Sequence, residues 1–186
     1  MKQSRGTLYV ISSPSGGGKS TVINEILKID PDLSYSISAT TRAPRANEKD
    51  GKDYFFLSEK DFFKLIEQDR FIEWAKVHDC YYGTLREQIE EKISKGEKII
   101  LDIDVQGGLN IKKSFSDSVL IFLWVPSLQV LEQRLRNRGT ENEKILKKRM
   151  TRAKEEFKKA DHYDYIIVNN KLKNTIKEVL GIIKNT

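Results

Sequence analysis

Residues 7–20 read Thr-Leu-Tyr-Val-Ile-Ser-Ser-Pro-Ser-Gly-Gly-Gly-Lys-Ser, and this stretch decides the fold class. Thr7–Ser12 is apolar, contains β-branched residues and leads into glycines, which predicts a buried strand. Ser20–Ile29 carries apolar residues at helical spacing before Pro31, so a helix is predicted there. A strand, a glycine-rich loop and a helix in direct succession indicate the first unit of an α/β protein.

The loop between this strand and helix has the composition of a phosphate-binding loop. Its glycines let backbone N–H groups turn inward onto phosphate oxygens, and the helix start adds its positive dipole end. Lys19 can then reach the β- and γ-phosphates, and Ser20 can place its hydroxyl on Mg²⁺. The strict pattern asks for glycine where Ser13 stands, so the match is near rather than complete, and a glycine-rich turn with a chance lysine is the alternative. The predicted phosphate site comprises Ser13, Pro14, Ser15, Gly16, Gly17, Gly18, Lys19 and Ser20.

The later part of the chain repeats the alternation of strand and helix. Such alternation predicts a parallel sheet covered by helices on both faces. Two stretches interrupt it: residues 36–95, with short aromatic runs typical of a small mixed sheet, and residues 139–162, which are charged and helix-prone. The predicted strands are Lys98–Asp104, Val119–Val125 and Tyr165–Val168, and the predicted helices start near Gly108, at Leu128 (to Arg136) and at Leu172.

Composition limits the cellular setting and the partners. The lone cysteine, Cys80, cannot form an internal disulfide, which favours a reducing compartment. The apolar run Leu8–Ile11 is too short for a signal peptide and Val119–Val125 is too short to cross a bilayer, so we expect a cytoplasmic protein without a membrane partner. The net charge of +6 raises nucleic acid as a partner. Because lysines and glutamates are mixed along the helical segments, we instead expect a solvated surface and no nucleic acid.

Asp102 and Asp104 lie at the end of the strand predicted at Lys98–Asp104. A spacing of two places both carboxylates on one face of a strand. Ligands of open α/β sheets bind beyond the carboxyl ends of the strands. Asp102 is therefore a candidate, with Ser20, to hold Mg²⁺, and a turn-forming pair of aspartates is the alternative.

A second anion site is indicated at the start of the first interruption. Arg42 and Arg45 flank a proline and offer two planar guanidinium groups to a doubly charged phosphate. Tyr54 and Tyr82 can each donate a hydroxyl hydrogen bond to the same group. Taken alone, this is weak evidence, because arginines on loops are usually solvated.

At this point the sequence resembles a known family, the guanylate kinases. The resemblance covers nearly the whole chain, in order and at the expected spacings, which makes it far more specific than the phosphate loop. Its motifs are Ser36–Arg45, Gly51–Tyr54, Phe71–Trp74, Tyr81–Thr84, Leu101–Gly107, Arg134–Gly139 and Ile166–Asn169. It implies a P-loop nucleotide kinase that transfers the γ-phosphoryl group of ATP to GMP with Mg²⁺, and so serves GMP recycling and GTP supply.

The resemblance also implies a division of the chain and a role for each matching residue. The core would be residues 1–35, 96–138 and 163–186, the GMP-binding lobe 36–95 and the helical lid 139–162. Departures are few: Ser13 replaces a small glycine or alanine, and Val125-Pro126-Ser127 has one proline where two are common. The GMP phosphate would be bound by Arg42, Arg45, Tyr54 and Tyr82, and guanine by Ser38, Glu73, Thr84 and Asp104. The transferring phosphoryl group would meet Lys19, Arg134, Arg138 and Arg149, with Arg138 also near ATP.

The chemistry of Glu73 agrees with this assignment independently. Guanine presents two adjacent donors, N1–H and the 2-amino group, which one carboxylate accepts together. Adenine presents an acceptor at N1, so a buried carboxylate selects guanine by attraction and by rejection. Taken alone, Glu73 could equally be a solvated strand residue.

Two other functions remain open at this stage. One is a kinase of the same fold that phosphorylates a ribose bisphosphate, which would not need a guanine pocket. The other is a scaffold module that resembles guanylate kinase but binds phosphopeptides and typically lacks a competent phosphate loop. Glu73, with Ser38 and Thr84, argues against the first. Gly18-Lys19-Ser20 argues against the second.

Overall fold

A computed structural model describes residues 6–77, 79–137 and 143–186. Within these ranges two sheets form, and helices surround the larger one. The strands are β1 (Thr7–Ser12), β2 (Leu33–Ser36), β3 (Ala39–Thr40), β4 (Phe55–Phe56), β5 (Phe71–Val77), β6 (Cys80–Leu85), β7 (Lys98–Asp102), β8 (Val119–Trp124) and β9 (Tyr165–Val168). The helices are α1 (Lys19–Ile29), α2 (Glu59–Glu67), α3 (Arg86–Ser94), α4 (Val105–Ser114), α5 (Leu128–Arg136), α6 (Glu143–Lys158) and α7 (Leu172–Asn185).

The larger sheet is parallel throughout, with strand order β2-β7-β1-β8-β9. Successive residues of β1 point to opposite faces: Val10 packs in the cluster with α3 and α4, and Ile11 packs in the cluster with α1 and α7. Both side chains are fully buried, and burial of each contributes about 1.5–3 kcal/mol. The predicted α/β fold with a parallel sheet covered on both faces is confirmed.

The order of the strands brings two predicted site segments together. β1 and β7 are neighbours, and their register pairs Ile11 with Asp102. The phosphate loop that follows β1 therefore lies beside Asp102 at the carboxyl edge of the sheet. This edge is where open α/β sheets bind their ligands.

The smaller sheet is mixed, as predicted, with strand order β4-β3-β6-β5. Antiparallel pairing of β5 with β6 sets Glu73 opposite Thr84. One face is closed by α2, whose Phe62 is fully buried and stacks on Phe71. Since the cluster of Ala39, Phe62 and Phe71 is separate from the two clusters of the large sheet, this sheet has a core of its own.

Some elements differ from the prediction. Neither β2 at the edge of the large sheet nor the helices α2 and α3 were predicted. α3 lies in the segment 36–95, yet its Ile89 and Ile93 pack in a cluster of the large sheet. β7 ends at Asp102, and α4 begins at Val105 rather than near Gly108, because the Asp104 side chain caps this helix. None of the helices in the described ranges is long and apolar enough to cross a membrane.

Candidate active site

A cavity of about 280 Å³ opens where the carboxyl edge of the large sheet, the small sheet and α6 meet. Three segments that are far apart in the chain therefore contribute to one site. The predicted site residues that line it are Ser13, Pro14, Ser15, Gly16, Gly17, Gly18, Lys19, Ser20, Ser38, Arg45, Tyr54, Glu73, Tyr82, Asp102, Asp104 and Arg149. Arg42, Thr84 and Arg134 are not among the residues that line it, and Arg138 lies outside the described residues.

The phosphate loop turns on two glycines in the left-handed region. Gly16 and Gly18 both have φ of 89°, a conformation in which a side chain is strained. Among the described residues, Asp69 is the only non-glycine residue with positive φ. Ser13 therefore takes the place of the usual glycine or alanine without backbone strain.

The N-terminus of α1 faces the cavity without a cap. Gly18 occupies the cap position and provides no side-chain hydrogen bond, and the first turn contains no acidic residue. By contrast, Asp104 caps α4 and Ser127 caps α5. The first N–H groups of a helix need partners, and together with the helix dipole they attract an anion. The loop and the start of α1 thus form a site for phosphate.

Lys19 is held at the end of the neighbouring strand. Its Nζ donates to the Ile103 carbonyl oxygen at 2.8 Å and pairs with Asp102 Oδ1 at 2.5 Å. Asp102 Oδ2 also accepts a hydrogen bond from Ser20 Oγ at 3.4 Å. A hydroxyl oxygen and a carboxylate oxygen beside a phosphate site are the hard donors that Mg²⁺ prefers, so these residues fit that ion.

Arg134 supports the phosphate loop from behind. Its guanidinium donates to the carbonyl oxygens of Gly17 and Asn169 at 3.3 and 3.0 Å. The Asn169 side chain is buried, donates to the same Gly17 oxygen at 2.7 Å and accepts from Thr175 Oγ1 at 3.0 Å. Arg134 thus supports the shape of the loop through the carbonyl oxygen of Gly17.

Three of the four predicted ligands of the acceptor phosphate, Arg45, Tyr54 and Tyr82, line the cavity. Arg42 donates to Glu48 Oε1 at 2.9 Å, and its guanidinium lies 5.4 Å from the centre of the Tyr54 ring. Glu48 also accepts from the backbone N–H of Arg45, while the Arg45 side chain is largely exposed. Burial, with a further contribution from Asp102, raises the pKa of Tyr54 to about 12, so its hydroxyl stays a donor. Tyr82 meets Tyr54 edge to face with ring centres 6.1 Å apart.

Glu73 is a buried carboxylate on the wall of the cavity, with 7% of its surface exposed. Its Oε1 accepts a hydrogen bond from Thr84 Oγ1 at 2.7 Å. Burial raises the pKa of Glu73 to about 7, the Thr84 hydrogen bond opposes that shift, and the nearby Asp104 charge adds to it. Since Oε2 accepts no hydrogen bond from the described residues, the carboxylate retains capacity to accept bonds from a ligand.

α6 brings charged residues to the cavity on one helical face. Arg149 donates to Ser15 Oγ in the phosphate loop at 3.1 Å. Arg152, one turn later, pairs with Asp104 Oδ2 and with Glu156 Oε1, both at 2.9 Å. Burial raises the pKa of Glu156, while the charge of Arg152 opposes that shift. α6 thus contacts both the phosphate end of the cavity and Asp104.

Sequence reasoning missed several residues of this site. Arg152 and Glu156 could have been predicted from the sequence, because both share a helical face with Arg149 at positions i+3 and i+7. Glu48 offered no signal of its own in the sequence, and Asn169 appeared only as the last residue of the motif Ile166–Asn169, with no role assigned to it. Their positions are fixed by a loop and by the end of an edge strand, so their partners are known only from the tertiary structure.

Comparison with known proteins matches nearly the whole chain to one family. The family model described as guanylate kinase matches residues 5–186. The guanylate kinase of Caldanaerobacter subterraneus is 44% identical over 96% of this chain and 87% of its own length. That of Thermotoga maritima is also 44% identical, over 97% of this chain and 87% of its own length. The crystal structure of guanylate kinase from Anaplasma phagocytophilum superposes with a TM-score of 0.81 at 33% identity, covering 98% of this chain and 86% of that one.

Proposed function

The chain belongs to the guanylate kinase family and is thus an enzyme that transfers the γ-phosphoryl group of ATP to GMP; we propose that the transfer takes place in the cavity described above. The observation that carries this proposal is the pairing of two unlike sites in one cavity. An uncapped helix N-terminus with Lys19 forms one end, and the buried carboxylate of Glu73 lies on the other side. The first suits a triphosphate and the second suits a base with adjacent N–H donors.

The donor phosphates bind at the phosphate loop. The left-handed turns at Gly16 and Gly18 support this role, because this backbone conformation lets successive N–H groups point inward onto phosphate oxygens. Lys19 turns from Asp102 toward the β- and γ-phosphates, where its charge compensates the oxygen that bridges them. Asn169 and Arg134 keep the loop in shape through the Gly17 carbonyl.

Ser20 and Asp102 would hold the Mg²⁺ that accompanies ATP. Both present oxygen ligands next to the phosphate loop, which supports the assignment. When bound, Mg²⁺ would supply positive charge beside the phosphates of ATP. The same carboxylate balances the charge of Lys19 before substrate arrives.

The acceptor binds with its phosphate toward Arg42, Arg45, Tyr54 and Tyr82. Glu48 holds Arg42 against the Tyr54 ring, so the guanidinium is oriented before a ligand binds. Guanine lies against Glu73, Ser38, Thr84 and Asp104. Thr84 fixes the Glu73 carboxylate through Oε1, which leaves acceptor capacity for the N1–H and 2-amino groups.

The reaction needs alignment and charge compensation rather than a strong base. A phosphate oxygen of GMP is already ionised when it attacks the γ-phosphorus. The bond from this phosphorus to the bridging oxygen breaks, ADP leaves, and GDP is formed. Lys19, Arg134 and Arg149, with Arg138, compensate the charge that develops on the transferring group.

Three parts of the chain supply different components of the site. The core carries the phosphate loop, the lobe at residues 36–95 carries the acceptor ligands, and the lid at residues 139–162 carries Arg149.

We place the protein in the cytoplasm, where its nucleotide substrates are found, and expect neither nucleic acid nor membrane as a partner. The single cysteine supports this placement.

A panel of acceptors tests the function. With ATP and Mg²⁺ in a coupled assay of ADP release, we expect turnover with GMP. Release with AMP, UMP or a ribose bisphosphate should be close to the background without acceptor. Preferred use of the ribose bisphosphate would instead support the related sugar kinase, and binding of phosphopeptides without ADP release would support a scaffold module.

A further inference from the structure

Arg152 joins α6 to Asp104, a carboxylate that lines the same cavity as Glu73. Its Nη2 donates to Asp104 Oδ2 and its Nε donates to Glu156 Oε1, both at 2.9 Å. The Arg152 side chain is 31% exposed, and those of Asp104 and Glu156 are 21% and 12% exposed. A planar guanidinium that meets two carboxylates through different nitrogens is fixed in orientation more firmly than in a single ion pair.

Asp104 is fixed from two sides. Its Oδ1 accepts the backbone N–H of Gly107 at 2.8 Å as the cap of α4, and its Oδ2 accepts from Arg152. Each carboxylate oxygen can accept two hydrogen bonds, so both oxygens keep capacity for a ligand. Without Arg152, the helix cap would remain, and the second oxygen would lose its charged partner.

Gly107 places this carboxylate next to Glu73. A Cβ at Gly107 would lie 2.8 Å from Glu73 Oε2 and 3.4 Å from Asp104 Oδ1. The glycine thus lets α4 approach both carboxylates and keeps their acceptor oxygens in one corner of the cavity. A ligand with two adjacent donors can meet one carboxylate with each.

We propose that Arg152 is a positioning residue for base selection: it orients Asp104 so that this carboxylate accepts the 2-amino group of guanine. The proposal rests on the proposed function and extends it to a residue of the lid. It predicts a role in discriminating GMP from IMP, whose base lacks the 2-amino group but keeps N1–H. A role limited to anchoring α6 would affect both acceptors equally.

The test compares Arg152→Gln with the parent enzyme on both acceptors. We expect kcat/KM to fall about tenfold for GMP and less than threefold for IMP, because only GMP uses the acceptor that Arg152 orients. The KM for ATP should stay within about twofold of the parent value. Lys158→Gln is the matched control: it removes one positive charge from α6, at an exposed side chain paired with Glu155, and should leave both acceptors unchanged.

A conservative variant keeps the test decisive if Arg152→Gln does not fold. Lysine can pair with Asp104 but has no second nitrogen with which to bind Glu156 at the same time. Arg152→Lys should therefore lower the ratio of kcat/KM for GMP to kcat/KM for IMP by about threefold. An unchanged ratio in the folded variants, or equal losses on GMP and IMP, would overturn the proposal. If the parent enzyme phosphorylates neither nucleotide, the proposed function fails instead, so the two failures are distinguishable.

Discussion

Lys19→Met should lower the turnover of ATP and GMP by about 10²–10³-fold, the usual cost of losing one electrostatic contact with the transition state. Lys19 is the cation at the start of α1 that reaches Ile103 and Asp102 across the phosphate loop. Methionine has a similar length and no charge. The negative charge on the oxygen between the β- and γ-phosphates of ATP would therefore lose its compensation, while the packing is kept. The measurement is steady-state ADP release at saturating ATP and GMP.

Stability must be followed in the same experiment. Asp102 has 13% of its side chain exposed, and the substitution leaves this carboxylate without its cation. Circular dichroism and the melting temperature will show whether the variant is folded at the assay temperature. Lys28→Met makes the same change at an exposed position in the last turn of α1, and should retain full turnover. Near-normal turnover of folded Lys19→Met would refute the assignment of the site.

Glu73→Gln should lower kcat/KM for GMP by roughly 2–4 kcal/mol, because an amide turns one acceptor into a donor that faces a guanine N–H. Thr84 already occupies Oε1 of the native carboxylate, which limits how the amide can rotate to escape this mismatch. The KM for ATP should change little. The exposed Glu67→Gln in α2, on the same lobe, is the matched control. If GMP and AMP are used with unchanged preference, Glu73 does not read the base.

The same variant has a second, opposite effect on stability. The pKa of Glu73 rises from 4.5 to about 7 on folding, so the folded state binds more protons in this window. Stability therefore falls as pH rises through it, and a glutamine removes this loss. As the pH rises from about 5 to about 8, the unfolding free energy of the parent should fall by roughly 2–4 kcal/mol relative to that of Glu73→Gln. Denaturant unfolding at several pH values measures this, and a parallel pH profile of both proteins would contradict it.

Local sequence patterns were sufficient to predict most of the fold. β1 and the helix that follows it were predictable, because an apolar run, glycines and helical periodicity stand in immediate succession. The strand Leu33–Ser36 was not, since only Leu33 and Ser36 are buried and its pairing with β7 is set by tertiary contacts. α3 was not predicted for a related reason: most of its residues are charged, and only Ile89 and Ile93 are buried in the core.

Glycines misled the prediction at one site. Gly107 and Gly108 suggested that the helix after β7 begins late, yet both lie inside α4. Their reason is close packing: a Cβ at Gly107 would meet Glu73, and one at Gly108 would lie 2.4 Å from the Tyr163 hydroxyl. Nothing local marks such contacts, because the partners come from a distant strand and from the end of the chain. The role of Arg152 was hidden in the same way, although its helical face was readable.

The central claim is direct transfer of the γ-phosphoryl group from ATP to GMP within one cavity. It is tested most directly by incubating the enzyme with Mg²⁺, GMP and ATP labelled in the γ-phosphoryl group, followed by separation of the nucleotides. We predict that the label appears in GDP, in an amount equal to the ADP formed, with only traces in free phosphate. Label that appears mainly in free phosphate, or that stays in ATP while GMP is present at saturation, would contradict the account.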